Sequence, residues 1–121
     1  MFIRSLQKCD EFIAGDNTLL RELFNPNTDD LDLGYSLAHA TLKPGDTTTS
    51  HSLRSSEVYY ILQGCGQMHI NDEISSVQPG DAVYIPPESI QYITNHGTTD
   101  LVFLCMVDPA WRPEDETVLP E

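Results

Sequence analysis

Pro44-Gly45-Asp46-Thr47-Thr48-Thr49-Ser50-His51-Ser52-Leu53-Arg54-Ser55-Ser56-Glu57-Val58-Tyr59-Tyr60-Ile61-Leu62-Gln63-Gly64-Cys65-Gly66 reads as an extended run with a tight turn at each end. Pro44-Gly45-Asp46 and Gly64-Cys65-Gly66 are turn signals, because proline presets φ and glycine accepts backbone conformations that other residues avoid. Val58 to Leu62 is rich in β-branched and aromatic residues, which suit a pleated, half-buried surface. Side chains alternate across a strand, so residues an even number apart share a face. His51, Leu53, Glu57 and Tyr59 therefore fall on one face of one strand.

The same punctuation continues on both sides. Gly15-Asp16-Asn17, Pro26-Asn27, Asn71-Asp72, Pro79-Gly80-Asp81, Pro86-Pro87 and Asn95-His96-Gly97 are further turns. Between them Ala82 to Ile85, Ile90 to Thr94 and Leu101 to Val107 are short runs of strand formers. Regular short strands with tight turns predict an all-β sandwich or barrel. Thr18 to Phe24 is ambiguous, since Leu19, Leu20 and Leu23 would also make a helical turn; a strand opening after Gly-Asp-Asn suits the rest better. The tail from Asp108 through Trp111 to Glu116 reads as an extended arm or a short helix. No internal repeat or low-complexity linker divides the chain.

A length of 121 residues suits one compact domain. The net charge of -13 argues against nucleic-acid or anionic-membrane partners, because phosphates would be repelled. No stretch approaches the roughly 20 apolar residues of a membrane span, and the N-terminus lacks the pattern of a secretory signal. Cys9, Cys65 and Cys105 are an odd number without ligand-like spacing. They predict reduced thiols, with Cys65 and Cys105 as buried small hydrophobes, and a cytoplasmic location.

Strand parity also places Gln91, Ile93 and Asn95 on one face. In a barrel, His51, Glu57 and Gln91 then converge on a common interior point. Imidazole and carboxylate suit borderline divalent ions such as Fe(II), Mn(II), Ni(II) or Zn(II). An amide oxygen is a weaker, neutral ligand that completes the set.

Gly45, five residues, His51, then Glu57, six residues, Gly64 resembles the first signature of the cupin family. Gly80, five residues, Pro86, then Asn95 resembles the second, across the usual intermotif hairpin. The resemblance covers about residues 34–107 and extends to single-domain microbial cupins related to the cupin portion of sugar-phosphate isomerases. It implies an all-β, conical, jelly-roll-like barrel (a double-stranded β-helix). Residues 1–33 would then be an N-terminal strand extension and residues 108–121 a C-terminal arm of a single domain spanning 1–121. It further implies a homodimer, often with one divalent metal in the mouth of the barrel. Two departures bear on that metal. The second histidine of the first signature is replaced by Leu53, and the glycine and histidine of the second by Glu88 and Gln91. Only His51 and Glu57 carry over directly as ligands.

His39 is a replacement ligand or proton-transfer group if the Leu37/His39/Thr41 face points inward. It is a surface histidine if the Ala38/Ala40/Leu42 face does. His69 and His96 are expected at the surface. Tyr59 shares parity with Glu57, so its hydroxyl either touches a ligand, as a catalytic acid, or is satisfied within the core. Trp111 either plugs the barrel or packs against a partner subunit, and the apolar run from Leu19 to Phe24 is a second candidate contact between subunits. A buried Glu57 needs a metal or an ion pair with His51. Three functions fit these residues: a metal-dependent enzyme acting on a sugar, diol or keto-acid; a non-catalytic small-molecule binder; and a metal-free sugar isomerase or epimerase with His51 as base and Tyr59 as acid.

Overall fold

The computed structural model describes residues 1–120. Eleven strands follow in order: β1 (Phe12–Ile13), β2 (Leu19–Phe24), β3 (Ser36–Leu42), β4 (His51–Leu53), β5 (Ser56–Gln63), β6 (Gly66–Ile70), β7 (Glu73–Val77), β8 (Ala82–Ile85), β9 (Gln91–Thr94), β10 (Leu101–Asp108) and β11 (Glu116–Val118). They form two antiparallel sheets facing each other across one core in a jelly-roll-like barrel. One sheet has the order β1-β2-β3-β10-β5-β8 and the other β11-β4-β9-β6-β7. No helix among the described residues is long and apolar enough to cross a membrane.

Alternation along the strands builds the core. On β10, Leu101, Phe103, Cys105 and Val107 face inward while the residues between them are half-buried. Tyr59 and Ile61 of β5 meet Met68 and Ile93 of the opposite sheet in one apolar cluster. The Tyr59 and Phe103 rings lie 4.5 Å apart within it. Burial of each such side chain contributes about 1.5–3 kcal/mol. The ambiguous stretch before Phe24 is the strand β2, paired on both sides.

The quoted stretch is not one strand. It bends at Arg54 and Ser55, so β4 belongs to one sheet and β5 to the other. The bend is held by backbone bonds from Arg54 N–H to Asp115 O at 3.0 Å and from Glu88 N–H to Leu53 O at 2.7 Å. The Ser55 hydroxyl donates to Pro109 O at 2.7 Å. His51 and Leu53 thus face Glu57 and Tyr59 from opposite walls. The shared inward orientation survives because the bend takes up an even number of residues.

Both termini are woven into the sheets. β11 pairs with β4, and β2 with β3. The Trp111 N–H donates to Ser36 Oγ at 3.0 Å, and its carbonyl accepts from the Asn25 and Asn27 amides at 3.0 and 3.2 Å. Neither the Leu19 to Phe24 run nor Trp111 is a free arm.

Two turn positions carry a direct test. Gly64 has φ +80°, and a Cβ there would sit 2.5 Å from Asp100 O. Gly64→Ala is expected to lose at least about 2 kcal/mol, read as a lower urea midpoint at unchanged slope. Glu88, at the place where the cupin signature has glycine, has φ +68°. Glu88→Gly is expected to gain up to about 1 kcal/mol in the same measurement by removing left-handed strain; an unchanged midpoint would show that the turn tolerates the side chain.

Candidate functional site

Gln91 opens β9 directly across from His51 of β4. Glu57 lies in β5, between Val107 of β10 and Ile85 of β8. One sheet therefore supplies His51 and Gln91 and the other supplies Glu57 and Tyr59, and all four side chains are buried. The Tyr59 hydroxyl donates to Gln91 Oε1 at 3.0 Å, and Gln91 Nε2 donates to Glu57 Oε1 at 2.9 Å. Burial holds the Tyr59 phenol protonated and the neighbouring Glu57 charge adds to this. The phenol is therefore the donor that orients the amide, and the amide braces the carboxyl.

His51 is fixed from its other side. Its Nδ1 lies 2.9 Å from Thr49 O. A carbonyl only accepts, so Nδ1 carries a proton, and it is Nε2 that is left to face the cavity. Nε2 lies 3.9 Å from Asp16 Oδ2. His51 turns to Asp16 and no ion pair joins it to Glu57 among the described residues, contrary to the pairing expected from sequence.

A cavity of about 100 Å³ opens between these groups. Leu53, Cys105 and Trp111 contribute apolar wall, and His51, Asp16, Glu22, Glu57 and Glu116 contribute polar wall. Four of its lining residues, Asp16, Glu22, Glu57 and Glu116, are carboxylates, and none of the described residues lining it is Lys or Arg. Burial pushes the Glu57 carboxyl from its ordinary 4.5 up to about 8; the Gln91 hydrogen bond opposes this, while the charges of Asp16 and Glu116 add to it. Burial also keeps the Cys105 thiol protonated. Among the described residues no three His, Cys, Asp or Glu side chains stand together as a ready-made metal site.

The sequence-derived candidates separate into three positions. His51 and Glu57 face the cavity. Gln91 and Tyr59 sit behind Glu57 and are absent from the cavity wall, with their polar atoms engaged on each other. His39 lies elsewhere. The Ala38/Ala40/Leu42 face is the inward one, and His39 is on the outer face, between Arg21 of β2 and Leu104 of β10. The same half-burial and the Arg21 charge lower its pKa. His69 stacks on Tyr92 at 4.0 Å on the outer surface, and His96 is exposed. Cys105 is buried as expected, whereas Cys65 is exposed in its turn. Sequence reading missed Asp16, Glu22 and Glu116. The Asp-Asn-Thr turn was the one available signal, since it marks a carboxylate pinned to its own backbone.

The family model described as Cupin domain matches residues 38–107. An uncharacterised protein of Methanocaldococcus jannaschii is 37% identical over 113 residues, covering 93% of this chain and 90% of its own length. An oxalate-binding protein of Thermotoga maritima is 34% identical over 71 residues, or 58% of this chain and 59% of that protein. Among solved structures, the polyketide cyclase RemF of Streptomyces resistomycificus superposes with a TM-score of 0.82 over 100% of this chain and 87% of its own, at 20% identity. That last likeness speaks for the fold alone.

The raised Glu57 carboxyl gives a pH test on chelator-treated protein. Between 4.5 and about 8 the folded state keeps a proton that the unfolded state releases. Stability is then full below pH 4.5 and falls as pH rises through that window, by up to about 1.4 kcal/mol per pH unit. Thermal melts at stepped pH should show this fall. Glu57→Gln, which keeps an acceptor for Gln91, should flatten it.

Proposed function

This chain belongs to the cupin family, and on that premise we propose that it holds a small oxygen-rich metabolite against a divalent cation in its interior cavity. The metabolite class is a sugar, diol or keto-acid, and His51 Nε2 and Glu57 are the groups that would hold the cation. The observation that carries this reading is the charge of the cavity. Four carboxylates and one imidazole line it without a Lys or Arg among the described lining residues. A buried carboxylate is expensive unless a cation or a proton neutralises it. An anionic metabolite entering this cavity alone would be repelled.

The donor chemistry fits such an ion. Imidazole nitrogen with carboxylate oxygens suits Mn(II), Fe(II), Ni(II) or Zn(II). Bound there, the ion would supply Lewis-acid polarisation of a metabolite oxygen. The chain's own residues do the rest. Thr49 O orients the imidazole, and Gln91, itself oriented by Tyr59, orients Glu57. Leu53 and Trp111 exclude water from the cavity wall. At about 100 Å³ the space encloses the cation and only the oxygen-bearing end of the metabolite, so a small keto-acid or diol fits it better than a whole sugar.

The protonated state of Glu57 favours a second reading, in which the cavity binds a neutral polar molecule with the Glu57 carboxyl as hydrogen-bond donor and no cation. A kinship to sugar-phosphate isomerases rests on the sequence pattern of residues 34–107, whereas the isomerase or epimerase reading itself requires Tyr59 to act as an acid in the cavity. Its hydroxyl instead donates to Gln91.

Calorimetric titration of chelator-treated protein at pH 7 distinguishes the two. Under the cation reading, one equivalent of Mn(II), Fe(II), Ni(II) or Zn(II) binds, up to about one proton is released from Glu57, and Tm rises. His51→Ala or Glu57→Gln should abolish this uptake. No uptake of any of the four ions by the wild-type protein would overturn the cation reading in favour of metal-free binding.

A further inference from the structure

We infer that Asp16 is a ligand of this cation, supplied by the N-terminal turn in place of the histidine that Leu53 replaces. The inference rests on the cation reading above. It concerns a residue outside the signature positions.

Asp16 is built into place rather than left at a loose surface. Its Oδ1 accepts the Thr18 N–H at 3.1 Å and the Thr18 hydroxyl at 2.8 Å. That leaves Oδ2 as the free oxygen, and Oδ2 is the atom 3.9 Å from His51 Nε2. The backbone of Thr49 ties the two residues together. Its N–H donates to Asp16 O at 2.8 Å, and its own carbonyl receives His51 Nδ1 at 2.9 Å. One residue thus sets both the turn that carries the carboxylate and the tautomer that frees Nε2.

His51 supplies the independent sign of a ligand. It is 3% exposed, and among the described residues its Nε2 has no hydrogen-bond partner, only the distant Asp16 oxygen. A ring nitrogen on a buried histidine and a carboxylate oxygen without a hydrogen bond among the described residues face one cavity, and a cation between them would satisfy both. Two donors each about 2.1 Å from a shared ion lie roughly 3.0–3.4 Å apart. The observed 3.9 Å closes to that with a side-chain shift of about 0.5–0.9 Å.

The other lining carboxylates are less suited. Glu116 receives the Trp111 indole N–H on Oε2 at 2.7 Å. Its Oε1 abuts Gly15, where a Cβ would come within 2.8 Å. Glu116 is therefore a strut between the arm and the turn. Glu22 accepts from the Asn25 amide at 3.1 Å. Leu53, 4% exposed, offers no donor at the vacated histidine place.

The test measures Mn(II) and Co(II) binding to the full chain by calorimetry and follows the visible spectrum of the Co(II) protein. Asp16→Asn is expected to weaken binding about tenfold or more and to change the Co(II) bands, because a ligand is exchanged. Asp16→Ser keeps an oxygen that accepts the turn N–H but removes the carboxylate, so it should weaken binding equally while the fold persists. Glu116→Gln, which retains an acceptor for Trp111, controls for loss of charge alone and should leave the bands unchanged. Wild-type affinity and spectrum in Asp16→Ser, with binding still lost in Glu57→Gln, would overturn the role of Asp16 and leave the cation reading standing. No ion bound by the wild-type protein would overturn both.

Discussion

The interior of this barrel is organised around a carboxyl group removed from water. Glu57 sits on one sheet, and its partner Gln91 sits on the other. The hydrogen bond between them therefore also links the two sheets. Tyr59 continues the chain back to the first sheet and packs on Phe103 in the apolar core. A buried carboxyl left without such support would cost several kcal/mol. The support is made entirely of neutral groups, so burial dominates and pushes the carboxyl up to about 8. Stability and ligand chemistry thus meet at one atom pair.

This arrangement explains how a chain can retain a cupin interior while departing from the family's ligand pattern. Gln91 occupies the place of a histidine, yet its amide spans Tyr59 and Glu57 as donor and acceptor at once. A neutral imidazole can also do both, but its donor and acceptor point in diverging directions fixed by the ring. The substitution converts a position read as a ligand into a brace. Leu53 converts another into apolar wall. What remains for the cavity is His51, Glu57 and the groups that flanking segments bring.

Local signals made most of the fold legible. Gly45, Gly64 and Gly80 all adopt positive φ in the turns assigned to them, and period-two alternation identified the inward residues of β5 and β9. Parity was less reliable across the bend at Arg54 and Ser55, where it read two strands of different sheets as one. Faces came out right because the break preserved the even spacing. His39 shows the opposite limit: both faces of β3 carry plausible inward residues, and only pairing with β2 and β10 decides between them. Asp16 was legible as a turn residue but not as a site residue. Its place beside His51 depends on the bond from Thr49 N–H to Asp16 O, a contact between segments far apart in sequence.

The division between matched core and flanks bears on how far relatives inform the ligand. His51, Leu53, Glu57 and Gln91 all lie within residues 38–107, the span shared with the family. Asp16, Glu22, Trp111 and Glu116 all lie outside it, and they supply three of the four carboxylates of the cavity. A relative that aligns only through the core shares the scaffold and the Glu57 position but not the charge that the flanks impose. Ligand charge is selected by the summed field of the cavity, which falls off slowly in a low-dielectric interior. The same barrel can therefore favour different ligands as β1, β2 and β11 change what they carry over its mouth. In this chain they carry negative charge, and that field disfavours an anion entering alone.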